Sequence, residues 1–392
     1  MAGLYIHIPF CTQKCIYCDF LSGTNLSLRE QFIDALIAEM DCYLDFFRED
    51  KIRTIYFGGG TPSLLDVKEL TKIYNAIAER WDVSKVEEFT IECNPDDLNV
   101  EYLRALKSMP INRLSIGVQS FCDNELKWLN RRHTAIEAIE AVVQAKCVGF
   151  ENITIDLMFA LPLQTLESLN YSIDKALELG VQHISAYSLM FEPDSKITTL
   201  MELNRLKPLD EDVAADMFDL LSQRLIEAGY EQYEISNYAK KGFESRHNSG
   251  YWHGMRYLGL GPSAHSFDGE KRWHNIAHTI KYNTQFESTQ SRDTACRVLT
   301  SRANKKLLVE IEHLTTDERF NELVFTALRT KIGIDIQELS IRFGDIRCNR
   351  LLRQAKKYID SDRMQIINNN LSLTRAGIYI SDSIISDFMI VD

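Results

Sequence analysis

The sequence predicts an α/β fold: six βα units in series forming a partial (β/α)6, TIM-like barrel, then a small α+β extension and a C-terminal winged-helix-like domain. Short β-rich runs alternate with amphipathic helical patterns through roughly the first half of the chain. Six such units in a row call for a parallel sheet with helices outside. Pattern alone also admits an open doubly wound sheet. What decides for the barrel is that uncommon polar residues stand near the carboxyl ends of successive strands, where a barrel gathers its loops into one site.

The strands fall near Leu4–Ile8, Thr54–Phe57, Glu88–Cys93, Arg113–Val118, Thr154–Met158 and His183–Leu189. Ser27-Leu-Arg-Glu30 reads as a capping box opening the first helix, with Phe32, Leu36 and Met40 at helical spacing behind it. Asp66 with Glu69 repeats the signal before Leu70, Ile73 and Ile77, and Gly180 closes the helix in "DKALELG". After about Pro193 the pattern changes. "EQYEISNYAKKGFESRHNSGYWHGMRYLGLGPSAHSF" is rich in Tyr, Gly and His and reads as strands and loops. From Asp317 the chain turns helical again. Two helices around "RFGD", the hairpin "MQIINNNLSLT" and a last amphipathic stretch suit a winged helix. The expected boundaries are 1–230, 231–310 and 311–392.

Composition narrows the function. At 392 residues the chain is too long for one ordinary core. The net charge of -12 disfavours general attraction to nucleic acid or anionic lipid. Arg347, Arg350, Arg353 and Lys356 lie about one helical turn apart and invite a DNA reading. However, 11 acidic residues balance 11 basic ones from Asp317 onward, so a solvated face is expected. No signal peptide or membrane span is visible, and a soluble, cytoplasmic protein is expected. Of nine cysteines, Cys42, Cys93, Cys122, Cys147, Cys296 and Cys348 are scattered without paired spacing. Each reads as a small core or half-buried thiol in a reducing compartment.

The other three, Cys11, Cys15 and Cys18, crowd into "HIPFCTQKCIYCDF". Thiolates are soft ligands for zinc or iron–sulfur clusters. Structural zinc takes four ligands, usually in two separated pairs. Here one C-x3-C-x2-C loop offers three, with no partner pair elsewhere. A 4Fe–4S cluster held by three thiolates keeps one iron open to a ligand. His7 or Asp19 could instead complete a zinc site, leaving a zinc-stabilised interaction module as an alternative.

With Tyr17 before the last cysteine, this loop resembles that of the radical S-adenosylmethionine superfamily. The resemblance implies that the cofactor's methionyl group chelates the open iron and is reductively cleaved. It makes Tyr5 and Tyr17 cofactor neighbours and Gly59, Gly60 and Thr61 of "GGGTP" the acceptors of the cofactor's amino group. Glu92 becomes a carboxylate beside it. Gln119, Arg131 and Asp156 match positions that contact a second cofactor in the oxygen-independent coproporphyrinogen III oxidases, and Met190 also falls at a contact position. Tyr5 and His7 face one side of the first strand, where His7 is a proton donor or a hydrogen-bond partner.

Two branches of the superfamily compete. The oxidases follow the triplet with one residue and a fourth cysteine, whereas here Asp19 and Phe20 follow Cys18. They also carry an N-terminal extension, and this chain begins almost at the first strand. "HNSGYW" matches the H-N-x-x-Y-W pattern of the HemW-like haem chaperones. That resemblance implies haem binding, with His247 as axial ligand, Tyr251 and Trp252 as packing partners, and His265 as the next candidate. It implies acceptor haemoproteins, respiratory ones among them, and an electron donor as partners. One departure stands out: "DLMFALP" carries Ala160 where the pattern has glycine.

Overall fold

The structure, a computed structural model, describes residues 2–193, 195–287 and 309–391. All six expected strands are present: β1 (Ala2–Ile8), β2 (Ile52–Gly59), β3 (Glu88–Cys93), β4 (Arg113–Gln119), β5 (Asn152–Phe159) and β6 (His183–Ser188). They pair in parallel in sequence order. Both faces of these strands are largely buried, which is why they read as near-continuous apolar runs. The sheet stays open. Its order is β12-β11-β10-β9-β1-β2-β3-β4-β5-β6-β8-β7, so the segment after Pro193 adds strands to both edges. β7 (Glu231–Gln232) and β8 (Asn237–Ala239) extend β6. β9 (Arg256–Leu260) pairs in parallel with the free side of β1. β10 (His265–Phe267), β11 (Lys271–Asn275) and β12 (Val309–His313) follow in antiparallel order.

The helices between the strands cover the outer face. The Asp66–Glu69 capping box opens helix Val67–Arg80, and Gly180 ends helix Leu166–Leu179 at φ 57°. The expected Ser27 cap is corrected. Asn25 lies two residues upstream and its side chain accepts from Ser27 N, so Leu26–Leu28 forms a 3-10 turn and helix Arg29–Met40 starts without a side-chain cap. The expected loop around "HNSGYW" is also corrected: Arg246–Trp252 is a helix. Ser245 caps it, and Glu88 accepts from the backbone N–H groups of Arg246 and His247, placing negative charge at the helix N-terminus.

The C-terminal segment has its own core of Phe320, Val324, Leu339, Leu351, Leu371 and Phe388. Its hairpin, Met364–Ile367 with Asn370–Leu373, lies where the sequence placed it. Arg347 pairs with Asp317 and Arg350 donates to Met389 O, so two of the four basic side chains are spent internally. Of the scattered cysteines, Cys93 and Cys348 are buried and Cys42 and Cys122 half-buried. Cys147 is exposed, against expectation, and Cys296 lies outside the described residues.

One buried carboxylate joins the first helix to the added strands. Glu39, 1% exposed, accepts from Gly261 N (2.8 Å), Asn275 Nδ2 (2.6 Å) and Tyr282 Oη (2.5 Å). Burial raises its carboxyl from 4.5 to about 7, against the pull of those donors. The folded form therefore keeps a proton that the unfolded chain has released, and stability falls as pH rises from about 4.5 to about 7. Glu39→Gln turns an amide N–H toward these donors. It should cost about 1–3 kcal/mol in denaturant melts and flatten that pH slope, since an unmatched buried donor loses its partner.

Candidate functional site

The cysteine loop leaves β1 already anchored. Phe10 packs edge-on against Phe32 with centroids 5.4 Å apart. Cys11 N donates to Gly23 O (3.0 Å) and Gly23 N to Pro9 O (2.9 Å), closing the base of the loop. Ile16 is buried in a small cluster with Leu129, Met158, Leu161, Leu189 and Ile197. The loop tip is thus held by apolar contact while Cys11, Cys15 and Cys18 stay half-buried. Cys11 Sγ lies 3.4 Å from Thr61 Oγ1, and Arg131 donates to Cys15 Sγ (3.2 Å), to Gly117 O (2.6 Å) and to Asn94 Oδ1. Burial, and then the neighbouring Cys15 and Cys11, push the Cys18 thiol up to about 11. Crowded thiolates need a cation to compensate them. Among the described residues no three His, Cys, Asp or Glu side chains converge as a single metal ion requires. Three half-buried thiols on one short loop are a donor set that an iron–sulfur cluster can take, whereas structural zinc takes four ligands.

The other sequence candidates gather around this loop. Gly59 has φ 107°, and a Cβ there would lie 2.5 Å from the His7 ring. A Cβ on Gly60 would lie 2.6 Å from Phe10 O. The cradle is shaped by the absence of side chains. Glu92 accepts from Tyr56 Oη (2.8 Å) and Gly59 N (3.0 Å). Burial raises Glu92 to about 7, with Asp156 adding repulsion, and burial raises Asp156 to about 6. Gln119, 8% exposed, holds φ 70° at the tip of β4, a strained conformation for a residue with a side chain. Tyr5 Oη donates to His7 Nδ1 (3.2 Å) while His7 Nε2 donates to Leu21 O (2.9 Å), so His7 is a neutral hydrogen-bond partner. Burial holds it at about 4. Burial also raises the phenols of Tyr5 and Tyr17. Met190 is 61% exposed and Tyr187 41%, so neither belongs to the core. Tyr56 and Asn94 escaped the sequence reading. Tyr56 could have been found by alternation, since it stands two residues before Gly58 on the inner side.

His247 borders this group through Tyr56. It is 1% exposed, with Nδ1 bonded to Thr54 Oγ1 (2.8 Å) and Nε2 to Tyr251 Oη (2.7 Å). Its ring stacks on Tyr56 at 5.0 Å. Burial, and then the Arg113 cation, lower it to about 3. In this arrangement no ring nitrogen is free for iron. Trp252 packs under the Arg329 guanidinium at 5.4 Å.

An open parallel sheet with a three-cysteine loop after its first strand and a glycine cradle after its second defines a radical S-adenosylmethionine protein. The Radical SAM superfamily profile matches residues 5–176, and that of the HemN C-terminal domain matches 314–380. The chain is 34% identical to the haem chaperone HemW of Lactococcus lactis, over 99% of this chain and 97% of that one. It is 36% identical to the HemW of Bacillus subtilis, over 88% and 87%. The chain belongs to the HemW family. Coproporphyrinogen III oxidase (HemN) from Escherichia coli shares the fold, with TM-score 0.81 at 20% identity over 99% of this chain and 89% of that one.

Replacing Cys11, Cys15 and Cys18 together by alanine should abolish iron and sulfide uptake on anaerobic reconstitution. Each partly exposed site should shift the melt by only about 0.5 kcal/mol. Retained iron and sulfide would remove these residues from the site. Ala160, where the family pattern has glycine, holds φ 60° and is 8% exposed. A Cβ in that region is strained, so Ala160→Gly should stabilise the protein by about 1 kcal/mol in chemical denaturation.

Proposed function

We propose that this protein is a cytoplasmic haem chaperone that binds haem and hands it to acceptor haemoproteins. In this reading Cys11, Cys15 and Cys18 hold a 4Fe–4S cluster, and S-adenosylmethionine binds beside it. The observation that carries the reading is the likeness along 99% of the chain to a protein named as a haem chaperone. No described helix is long and apolar enough to cross a membrane.

When bound, the cluster and cofactor would supply one-electron reductive chemistry. The chain's own residues prepare the place. Gly59, Gly60 and Thr61 offer backbone close to the cysteine loop without obstruction. Arg131 steadies the Cys15 sulfur by hydrogen bonding and offsets its charge. Burial raises Glu92 and Asp156, and the nearby Arg113 cation offsets only part of that rise. A sulfonium beside them would favour their ionised forms. Phe20 follows the triplet at 60% exposure and supplies no fourth thiol.

The test is anaerobic reconstitution, haem titration and a coproporphyrinogen III assay on one sample. Expected are iron and sulfide, a saturable Soret change and no protoporphyrinogen IX. Turnover matching a genuine oxidase assayed alongside would replace this reading by a catalytic one, and absence of any Soret change would end it.

A further inference from the structure

The nine histidines divide sharply by what their rings can still do. His7, His133, His183 and His247 are buried, each with at least one ring nitrogen already in a hydrogen bond. His274 has Nδ1 near Asn275 O (3.3 Å) and Nε2 near Glu310 (3.4 Å). His253 follows helix Arg246–Trp252 just before β9, whose first residue pairs with Ala2, so it lies at the end of the sheet away from the cysteines. His278 precedes helix Thr279–Glu287, which packs on helix Arg29–Met40 on the outer face. Among the described residues only His265 and His313 have no hydrogen bond to either ring nitrogen. His313 pairs with Lys271 and shares the face of the buried Trp273. That leaves His265.

His265 is exposed and opens β10. It stands opposite His274, with ring centroids 5.0 Å apart. Alternation puts Phe267 and Arg272 on the same face, and Phe267 lies beside Tyr257 at 6.4 Å. Tyr257 in turn meets Tyr251 at 4.6 Å. This face continues the inner face of β1: Gly3 pairs with Tyr257, and a Cβ on Gly3 would lie 3.2 Å from the His247 ring. Its upper end adjoins the cysteine loop, because a Cβ on Gly261 would lie 2.5 Å from His7 O. The connection to β10 is rigid. Glu39 holds Gly261 N, and a Cβ on Gly259 would lie 2.0 Å from His265 O.

We propose that His265 is the axial ligand to haem iron, with the macrocycle lying on the Tyr257–Phe267 surface and His274 beside the ring. The inference rests on the haem-binding reading above. An exposed imidazole with both nitrogens free can ligate without breaking an internal bond, and the half-buried Tyr257 and Phe267 rings, the latter beside the Arg272 guanidinium, give a flat ligand an aromatic floor. Partial desolvation by the packed neighbours on one side of the ring, then the nearby His274 and Arg272, lower the His265 pKa against the pull of Glu312. The ring is therefore neutral and able to ligate at pH 7, and ligation weakens as pH falls through that lowered value. Arg272 is itself paired with Glu322, and Glu310 faces His274.

The experiment is haemin titration of the reconstituted full chain, comparing wild type, His265→Ala and His313→Ala by Soret absorbance and electron paramagnetic resonance. Wild type and His313→Ala should saturate with the spectrum of imidazole-ligated haem. His265→Ala should lose that spectrum and bind at least about ten-fold more weakly, the size of one strong interaction. Its iron–sulfur absorbance should be unchanged, and added free imidazole should restore the spectrum. A wild-type spectrum and affinity in His265→Ala would overturn the assignment while leaving haem binding intact. A wild type that takes up no haem would overturn both.

Discussion

The site depends on one close backbone approach. Beyond the last β1–β2 pair, Ile8 with Gly59, the two chains stay together: Gly60 N donates to Ile8 O (2.8 Å) and Thr61 N to Phe10 O (2.7 Å). These bonds carry the register of the sheet into the first turn of the cysteine loop. They exist because Gly60 has no Cβ, whose place lies 2.6 Å from Phe10 O. A methyl there would push the loop from the cradle and carry Cys11 away from Thr61. The position of the cysteine loop is therefore set by a missing side chain, one strand away from the cysteines.

The same strand organises the inner face. β1 pairs in parallel with β2 on one side and β9 on the other, so it meets both the glycine cradle and the added strands. Along it Gly3, Tyr5 and His7 point inward. Tyr5 lies 6.0 Å from Tyr56 and 6.4 Å from His247, and Tyr56 reaches Glu92 through its hydroxyl. One aromatic stack thus links the cradle to the helix that carries "HNSGYW". Such a buried polar and aromatic network resists rearrangement, because every polar member already has a partner.

Much of this was legible in the sequence. The six strands were found because parallel strands buried on both faces leave unbroken apolar runs, and their polar ends pointed to one mouth. Cys11, Cys15, Thr61 and Arg131 do meet there. What the sequence hid was decided by partners far away in the chain. Asn25 displaced the expected Ser27 cap by offering its own acceptor first. Helix Arg246–Trp252 looked like a loop, because its seven residues include Gly250 and draw N-terminal support from Glu88, a residue 158 positions earlier. The strands added at the sheet edges were hidden for the same reason. β9 is held by pairing with β1, and no local pattern announces that.

The contrast between His247 and His265 follows from energetics. To ligate iron, His247 would have to release either Thr54 or Tyr251 inside the protein, and a buried polar group left without its partner costs about 1–3 kcal/mol. Its ring would also have to leave the stack on Tyr56 and open a position that is 1% exposed. His265 faces none of these costs, since it is exposed and unbonded. The H-N-x-x-Y-W pattern is then explained by structure: His247 bridges Thr54 on β2 to Tyr251 four residues on, and its backbone N–H is held by Glu88 on β3. Histidine suits that joint because a neutral imidazole donates at one nitrogen and accepts at the other. A motif that fixes a helix against the sheet beside the site can mark a family as clearly as a ligand does.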